Sequence, residues 1–126
     1  MPTRHELLKN VYGAFNRRDI DAVLAWMRPD VDWPNGMEGG RVHGRDEVRA
    51  YWTRQWGMID PHVEPVYMRD DEHGNTVVDV HQVVRDLSGK ILKDQIVHHV
   101  YSFRDGLIER MDIRNPATVA AHQAST

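Results

Sequence analysis

The residues best suited to chemistry are His99 and Gln82, which interrupt the otherwise apolar faces of two strand patterns in the C-terminal half of the chain. An imidazole with an ordinary pKa of about 6.5 can accept a proton from carbon or oxygen and return it. Burial would lower that pKa and favour the neutral base. We therefore expect His99 to shuttle a proton while Gln82 and a tyrosine hydroxyl stabilise a developing enolate oxygen. The alternative is a structural histidine, hydrogen-bonded in the core to Gln82 or Tyr101.

The direction in which these side chains point depends on a predicted hairpin with a two-residue turn at Ser88-Gly89. Because strand side chains alternate between the two faces, this turn places His99, Gln82 and Gln95 on one inner face. The pairs expected across the hairpin are Val78 with His99, Val80 with Val97 and Gln82 with Gln95. A one-residue bulge would turn His98 inward instead.

The same alternation divides the last strand pattern into two faces. The inner set is expected to be Leu107, Glu109, Met111 and Ile113, with Asn115 as a further member, and the outer set to be Ile108, Arg110, Asp112 and Arg114. The outer face of the sheet would then mix apolar and charged side chains, with Asp79 opposite His98. An uncovered face of this composition is typical of a homodimer interface.

Aromatic and apolar side chains are expected to form the walls of a cavity for a small, flat, apolar ligand. The candidate ligand-binding residues are Trp33, Trp56, Tyr12, His43, Tyr101 and Met111. Ordinary core packing is the alternative for the tryptophans. His43 is expected in a loop before the third helix, where loops at cavity mouths often carry binding groups; a solvated loop histidine is the alternative.

We expect no cofactor and no metal site. The chain has eight histidines but no cysteine, which excludes disulfides and Cys-ligated zinc or iron–sulfur sites. His98 and His99 are neighbours on a strand and therefore point to opposite faces. His81 and His98 could meet Asp79 on the outer face, yet no spacing motif of a zinc site is present.

Three helical patterns fill the N-terminal half and four strand patterns fill the C-terminal half, in one α+β domain covering residues 1–126. The first helix is expected to begin with a capping box of Thr3 and Glu6. The second is expected to begin at Asp19 and to end at Pro29. The third is expected to begin near Gly44 and to end at Gly57 or at Asp60-Pro61. The expected strands cover residues 31–33, 62–70, 76–85, 91–103 and 107–115, followed by a partly helical tail over 116–126.

Charge and composition restrict the partners. The net charge is −3, and the basic residues form no stripe of the kind that binds nucleic acid. No apolar run is long enough to span a membrane, and the first ten residues lack the apolar core of a signal peptide. We expect a cytoplasmic protein with a small apolar ligand and no nucleic-acid or membrane partner.

Four segments in this order carry a family resemblance. They are AFNRRDID at residues 14–21, VDWP at 31–34, HGRDEV at 43–48 and RDGLIER at 104–110. Together they resemble the NTF2-like superfamily, in particular its SnoaL-like branch, which is similar to ketosteroid isomerases and polyketide cyclases. The resemblance implies a cone of three N-terminal helices on a curved, mostly antiparallel sheet, with an internal cavity and frequent dimers.

The resemblance also implies positions for catalysis. Family isomerases carry a base Asp on the first short strand, where this chain has Trp33, and an acid on a later strand, where it has His99. Their phenolic partner falls next to Tyr12. In polyketide cyclases of this branch an Asp late in the sheet does the acid–base work, which implies Asp112 as a third catalytic candidate beside His99 and Gln82.

Three functions remain open at this point. The first is a cofactor-free isomerase, cyclase or dehydratase acting on a small apolar carbonyl compound. The second is a non-catalytic ligand-binding or dimeric scaffold module, which the missing family carboxylates favour. The third is a protein-partner module like the transport factors that share the fold.

Overall fold

The computed structural model describes residues 3–114, which form nine helices and strands. In chain order they are α1 (Arg4–Asn16), α2 (Ile20–Leu24), β1 (Met27–Pro34), β2 (Arg41–His43), α3 (Arg45–Trp56), β3 (Ile59–Asp70), β4 (Thr76–Asp86), β5 (Ile91–Arg104) and β6 (Leu107–Arg114). The strands form one curved sheet in the order β2-β1-β6-β5-β4-β3. Only the β1–β6 pair among these is parallel. The α+β architecture, with three helices packed on a mostly antiparallel sheet, is therefore confirmed.

Side chains cap the first two helices. Thr3 accepts a hydrogen bond from the backbone N–H of Glu6 at 3.1 Å, which satisfies one free donor of the first turn. The predicted reciprocal half of this capping box is replaced, because the Thr3 hydroxyl donates to the Glu6 carboxylate at 3.1 Å. Asp19 caps α2 by accepting from the backbone N–H of Ala22.

The prediction that Pro29 ends the second helix is wrong. Helix α2 ends at Leu24, and Met27 already begins β1, where it lies opposite Ile108 of β6. The carbonyl of Trp26 accepts from the backbone N–H of Ile108 at 2.9 Å, so sheet pairing starts three residues before the proline.

The hairpin of β4 and β5 has the predicted register beyond its turn, although the prediction of a two-residue turn is wrong. The turn covers Leu87 to Gly89, and the extra residue Leu92 on β5 restores the register. Val78 pairs with His99, Val80 with Val97 and Gln82 with Gln95. His99, and not His98, therefore shares the inner face with Gln82. The predicted pairing of Asp79 with His98 on the outer face is also confirmed, with His98 Nε2 and Asp79 Oδ1 3.0 Å apart.

A bulge in β6 makes part of the predicted alternation wrong. Ser102 pairs with Arg110 and Phe103 with Ile108, which leaves Glu109 as the extra residue. The bulge turns Ile108 into the core, where it is 0% exposed, although simple alternation places it on the outer face. Met111 keeps its predicted inward position. Asn115 and the tail over 116–126 lie outside the described residues.

Two further boundaries differ from the sequence prediction. His43 lies in the short strand β2, opposite Asp32 of β1, rather than in a loop. Gly57 ends α3, and strand β3 begins at Ile59, so Asp60 and Pro61 belong to the strand. No helix within residues 3–114 has the length and apolar character needed to cross a membrane.

The core lies between the helices and the concave inner face of the sheet. Its fully buried side chains include Leu8 of α1, Val23 of α2, Val31 of β1, Val48 of α3 and Val78 of β4. Each element thus contributes a residue to one continuous apolar cluster. This cluster fixes the position of the helices above the sheet, which is what leaves space for a cavity near His99.

The bulge in β6 predicts unequal roles for two isoleucines on that strand. Ile108→Ala is expected to lower the free energy of unfolding by roughly 2–4 kcal/mol, because it empties a closed site in the core. Ile113→Ala is expected to cost less than about 1 kcal/mol, since Ile113 is 44% exposed. Urea unfolding of both variants measures the difference; a larger loss for Ile113→Ala would contradict the bulge.

Candidate functional site

A cavity of about 450 Å³ lies between α1, α3 and the inner face of the sheet. This volume is within the range of small-molecule sites. Its walls include six of the predicted site residues, namely His99, Gln82, Tyr12, Trp33, Tyr101 and Met111. The strand register and the apolar face of α1 therefore bring together most of the residues that the sequence singled out.

A chain of three hydrogen-bonding side chains forms the deep end of the cavity. The Tyr101 hydroxyl donates to the Tyr12 hydroxyl at 2.8 Å, and the Tyr12 hydroxyl lies 2.8 Å from Nδ1 of His99. All three side chains are buried, and His99 is 7% exposed. Helix α1 supplies Tyr12 and strand β5 supplies the other two, so this relay connects the helical layer to the sheet.

The direction of the relay determines where the imidazole carries its proton. Because the Tyr12 oxygen accepts the Tyr101 proton, its own proton is directed to Nδ1 of His99. Nε2 of His99 makes no hydrogen bond to any residue between 3 and 114. In this direction of the relay the neutral imidazole carries its proton on Nε2, whereas in the reverse direction Nδ1–H donates to Tyr12 and Nε2 offers a lone pair. We infer the first arrangement, which offers the cavity an N–H donor at Nε2, from the donation of Tyr101 to Tyr12.

Burial keeps every member of the relay neutral. Desolvation, with a smaller contribution from His98, lowers the pKa of His99 from 6.5 to about 4. Burial also raises the pKa of the Tyr12 hydroxyl well above its ordinary value, and it raises that of Tyr101. At neutral pH the relay therefore contains an uncharged imidazole and two protonated phenols.

Two glutamines form a second polar group nearer the open end. Gln95 Nε2 donates to Gln82 Oε1 at 3.0 Å across the β4–β5 pair. Gln82 Nε2 makes no hydrogen bond within residues 3–114, and both glutamines line the cavity. The partner of His99 is Tyr12, so the alternative in which the core histidine is hydrogen-bonded to Gln82 or Tyr101 is not realised in this structure.

Aromatic rings close the cavity on the helical side. Trp33 of β1 meets Trp52 of α3 edge to face, with ring centroids 5.6 Å apart, and Phe15 of α1 meets Trp52 at 5.3 Å. Trp56 stacks behind Trp52 at 5.9 Å and is covered by the Arg18 guanidinium. The tryptophans that line the cavity are Trp33 and Trp52. The prediction that Trp56 lines the cavity is wrong, because Trp52, one helical turn earlier in α3, takes that place.

Two residues of α3, Tyr51 and Gln55, line the cavity although they are not among the site residues predicted from the sequence. Gln55 Nε2 donates to the Tyr51 hydroxyl at 3.1 Å, while the Gln55 carbonyl oxygen is buried without a partner among the described residues. The available signal was a polar pair four positions apart within an apolar helix face.

Asp112 lies away from the cavity, on the face of β6 opposite Met111. Its carboxylate accepts from Arg110 at 3.0 Å and from Arg41 at 3.1 Å, and both arginines also bind Asp32. The Arg110 guanidinium lowers the pKa of Asp112, with Arg41 contributing. Asp112 is thus held as an ion-paired carboxylate that bridges β6 and β2, which does not fit the acid–base role implied by the resemblance.

His43 is also outside the cavity. It is exposed on β2, with Nε2 3.6 Å from Asp32 Oδ1, beside the first turn of α3. Within residues 3–114 no group of three or more His, Cys, Asp or Glu side chains is arranged to hold a metal ion.

Comparison with known proteins places this geometry in a family. Residues 8–111 match the family described as the SnoaL-like domain. No curated protein sequence matches the chain.

Several solved structures share the fold over nearly the whole chain. An NTF2-like protein of unknown function from Burkholderia pseudomallei is 28% identical with a TM-score of 0.78, covering 96% of this chain and 97% of that one. TerC, co-crystallised with polyporic acid, is 27% identical with a TM-score of 0.77, covering 94% and 95% of the two chains. A candidate polyketide cyclase from Xanthomonas campestris is 25% identical with a TM-score of 0.69, covering 91% and 92%.

The neutral state of His99 predicts a specific loss of stability in acid. Because the folded-state pKa is lowered from 6.5 to about 4, the unfolded chain binds this proton first as the pH falls. The stabilisation that comes from neutral His99 is fully present above pH 6.5 and is lost as the pH falls toward about 4. Between about pH 7 and pH 4.5 the free energy of unfolding is expected to fall by roughly 2–3 kcal/mol from this cause.

Unfolding free energies at the two pH values measure this effect. His99→Gln is expected to remove the contribution, so its stability falls less in acid than that of the wild type. His73→Gln, at an exposed histidine, is the matched control and should keep the wild-type profile. Equal acid sensitivity of His99→Gln and the wild type would show that His99 titrates normally.

Proposed function

The chain belongs to the SnoaL-like family, and from this premise we propose that its cavity binds a small apolar carbonyl compound and catalyses an isomerase-, cyclase- or dehydratase-type reaction on it. The observation that supports this proposal is the Tyr101–Tyr12–His99 relay, which ends in the cavity at an Nε2–H donor. It is the buried polar group at the deep end of a largely apolar site.

The relay is suited to stabilising negative charge on a substrate oxygen. A carbonyl group whose oxygen accepts a hydrogen bond from His99 Nε2 becomes a better electron acceptor for ring closure at the carbonyl carbon. The same hydrogen bond stabilises an enolate, and the α-proton lost in its formation passes to solvent. As charge develops on that oxygen, the hydrogen bond strengthens, because the site excludes water and its donor is already oriented. The free N–H groups of Gln82 provide a second donor nearer the open end.

The lowered pKa of His99 changes the role that we expected from the sequence. An imidazole with a pKa of about 4 is a weak base and a poor carrier of a full positive charge. Complete transfer of its proton to the substrate would also require Tyr12 and then Tyr101 to give up protons, leaving a buried phenolate. We therefore propose that His99 acts as a neutral hydrogen-bond donor and does not shuttle the proton.

The non-catalytic binding module remains the second candidate function. It is favoured by the cavity lining, since no Asp or Glu of the described part of the chain lines the cavity to abstract a proton from carbon. This alternative predicts saturable binding of the same compounds without turnover.

Turnover with a panel of apolar carbonyl compounds separates the two functions. The panel includes polyporic acid, the compound with which TerC was co-crystallised. Compounds that raise the melting temperature are incubated with the protein, and mass spectrometry follows products of unchanged mass or with one water fewer. His99→Gln is expected to slow product formation about 100-fold or more while binding changes far less.

His98→Gln provides the matched control, because His98 is the sequence neighbour on the opposite face. It is expected to keep wild-type turnover. Equal turnover of His99→Gln and the wild type would exclude a catalytic role for His99. Binding without any product would favour the non-catalytic module.

We propose, further, that the protein forms a homodimer through the outer face of the sheet. This proposal is supported by Ile96 and Tyr67, which are exposed on that face beside the His98–Asp79 and His81–Asp94 pairs. Apolar side chains among complementary charges are typical of self-association.

Substitution on this face tests the dimer. Ile96→Lys is expected to convert the dimer to a monomer in light scattering, because it places charge in the buried centre of the interface. Leu87→Lys, at an exposed position in the β4–β5 turn, is expected to leave the dimer intact. A specific interface of standard size is expected to keep the protein dimeric at about 50 μM. A wild type that is monomeric at this concentration would contradict the proposal.

A further inference from the structure

The charge of the cavity wall is carried by one residue. Lys93 lines the cavity, whereas no Asp, Glu or Arg of residues 3–114 does so. The other ionisable groups at the deep end, namely His99, Tyr12 and Tyr101, are held neutral by burial. A cavity that is otherwise uncharged thus carries a single ammonium group.

Lys93 occupies the open end of the same strand face that carries the relay. It lies on β5 opposite Val84, and the inward residues that follow it are Gln95, Val97 and His99. Its side chain is exposed, while Gln95 is half-buried and His99 is buried. The inner face of β5 therefore passes from a cation, through an amide, to an imidazole with increasing depth.

This ammonium group has no carboxylate partner among the described residues. Within residues 3–114, Lys93 forms no ion pair with any Asp or Glu. By contrast, Arg41 and Arg110 on the outer face are each held by two carboxylates.

An unbalanced cation at the mouth of an apolar cavity attracts anions selectively. Its interaction with an opposite charge is stronger beside apolar walls than in bulk water, because the local dielectric constant is lower. The protein as a whole has a net charge of −3 and repels anions elsewhere. An anionic ligand is therefore favoured beside Lys93 by the local surroundings of this residue, not by the charge of the whole protein.

We propose that the ligand is amphipathic: an apolar body with a carbonyl group at His99 and an oxyanion, such as a carboxylate, bound by Lys93 at the cavity mouth. The six residue-to-residue steps from Lys93 to His99 cover about 20 Å of strand. A ligand that contacts both side chains is therefore elongated. This inference rests on the proposed binding function and adds the charge and shape of the bound compound.

Two fluorescent probes that differ in one group test the charge. Anilinonaphthalene sulfonate carries an anionic sulfonate, whereas N-phenyl-1-naphthylamine has the same ring system without it. Dissociation constants for both are measured with wild-type protein, with Lys93→Met, and with Lys90→Met as the matched control. Lys90 lies on the same hairpin, is exposed and does not line the cavity, so both variants remove the same charge.

Lys93→Met is expected to weaken binding of the anionic probe by roughly three- to tenfold, as for a partly exposed charge pair. Binding of the neutral probe should stay unchanged, and Lys90→Met should affect neither probe. Raising the salt concentration should weaken anionic-probe binding to the wild type more than to Lys93→Met. Gln95→Trp, which fills the cavity beside Lys93, is expected to weaken both probes.

The possible failures are distinguishable. If the neutral probe binds in the cavity but Lys93→Met leaves anionic-probe affinity unchanged, the charge inference is wrong and the binding function stands. If Lys90→Met weakens the anionic probe as much as Lys93→Met does, the effect is long-range charge and the inference is also wrong. If neither probe binds, or Gln95→Trp affects neither, the proposed binding function itself is overturned.

Discussion

The hydrogen bond between the Tyr12 hydroxyl and His99 Nδ1 is the interaction on which the candidate site depends. It joins α1 to the centre of the sheet in the most buried part of the cavity, with the two atoms 2.8 Å apart. Loss of this bond would leave a buried imidazole nitrogen without a partner, which costs about 1–3 kcal/mol. The bond therefore holds the helix at a fixed height above the sheet and, at the same time, fixes the protonation pattern of the imidazole.

The second constraint is the bulge in β6. Ile108 and Met111 are three positions apart, so a regular strand would place them on opposite faces. The bulge at Glu109 turns both side chains inward, Ile108 to the core and Met111 to the cavity. On the opposite face the Asp32, Arg41, Arg110 and Asp112 cluster ties β1, β2 and β6 together. Core packing on one face and ion pairs on the other thus fix β6. Because β1 pairs with β6, the position of Trp33 in the cavity wall depends on this strand.

The sequence was sufficient for those parts of the site that depend on strict periodicity. The pairing of Val78 with His99 and of Gln82 with Gln95 agrees with the alternation of strand side chains. The turn itself is one residue longer than predicted, and the extra residue Leu92 on β5 offsets this difference. Simple alternation places Ile108 on the outer face, because no residue pattern around it indicates the bulge. Trp56 was chosen over Trp52 since helical spacing identifies a face but not which residue on it borders empty space. The tautomer of His99 depends on a tyrosine 87 positions away in the chain, which no local pattern encodes.

The aromatic wall of the cavity has an optical consequence. The indole rings of Trp33, Trp52 and Trp56 form a continuous series in which neighbouring centroids are 5.6 and 5.9 Å apart. At such separations electronic excitation passes readily from ring to ring. A compound that touches Trp33 or Trp52 therefore changes the emission of all three rings, so the cavity contains its own intrinsic reporter of occupancy.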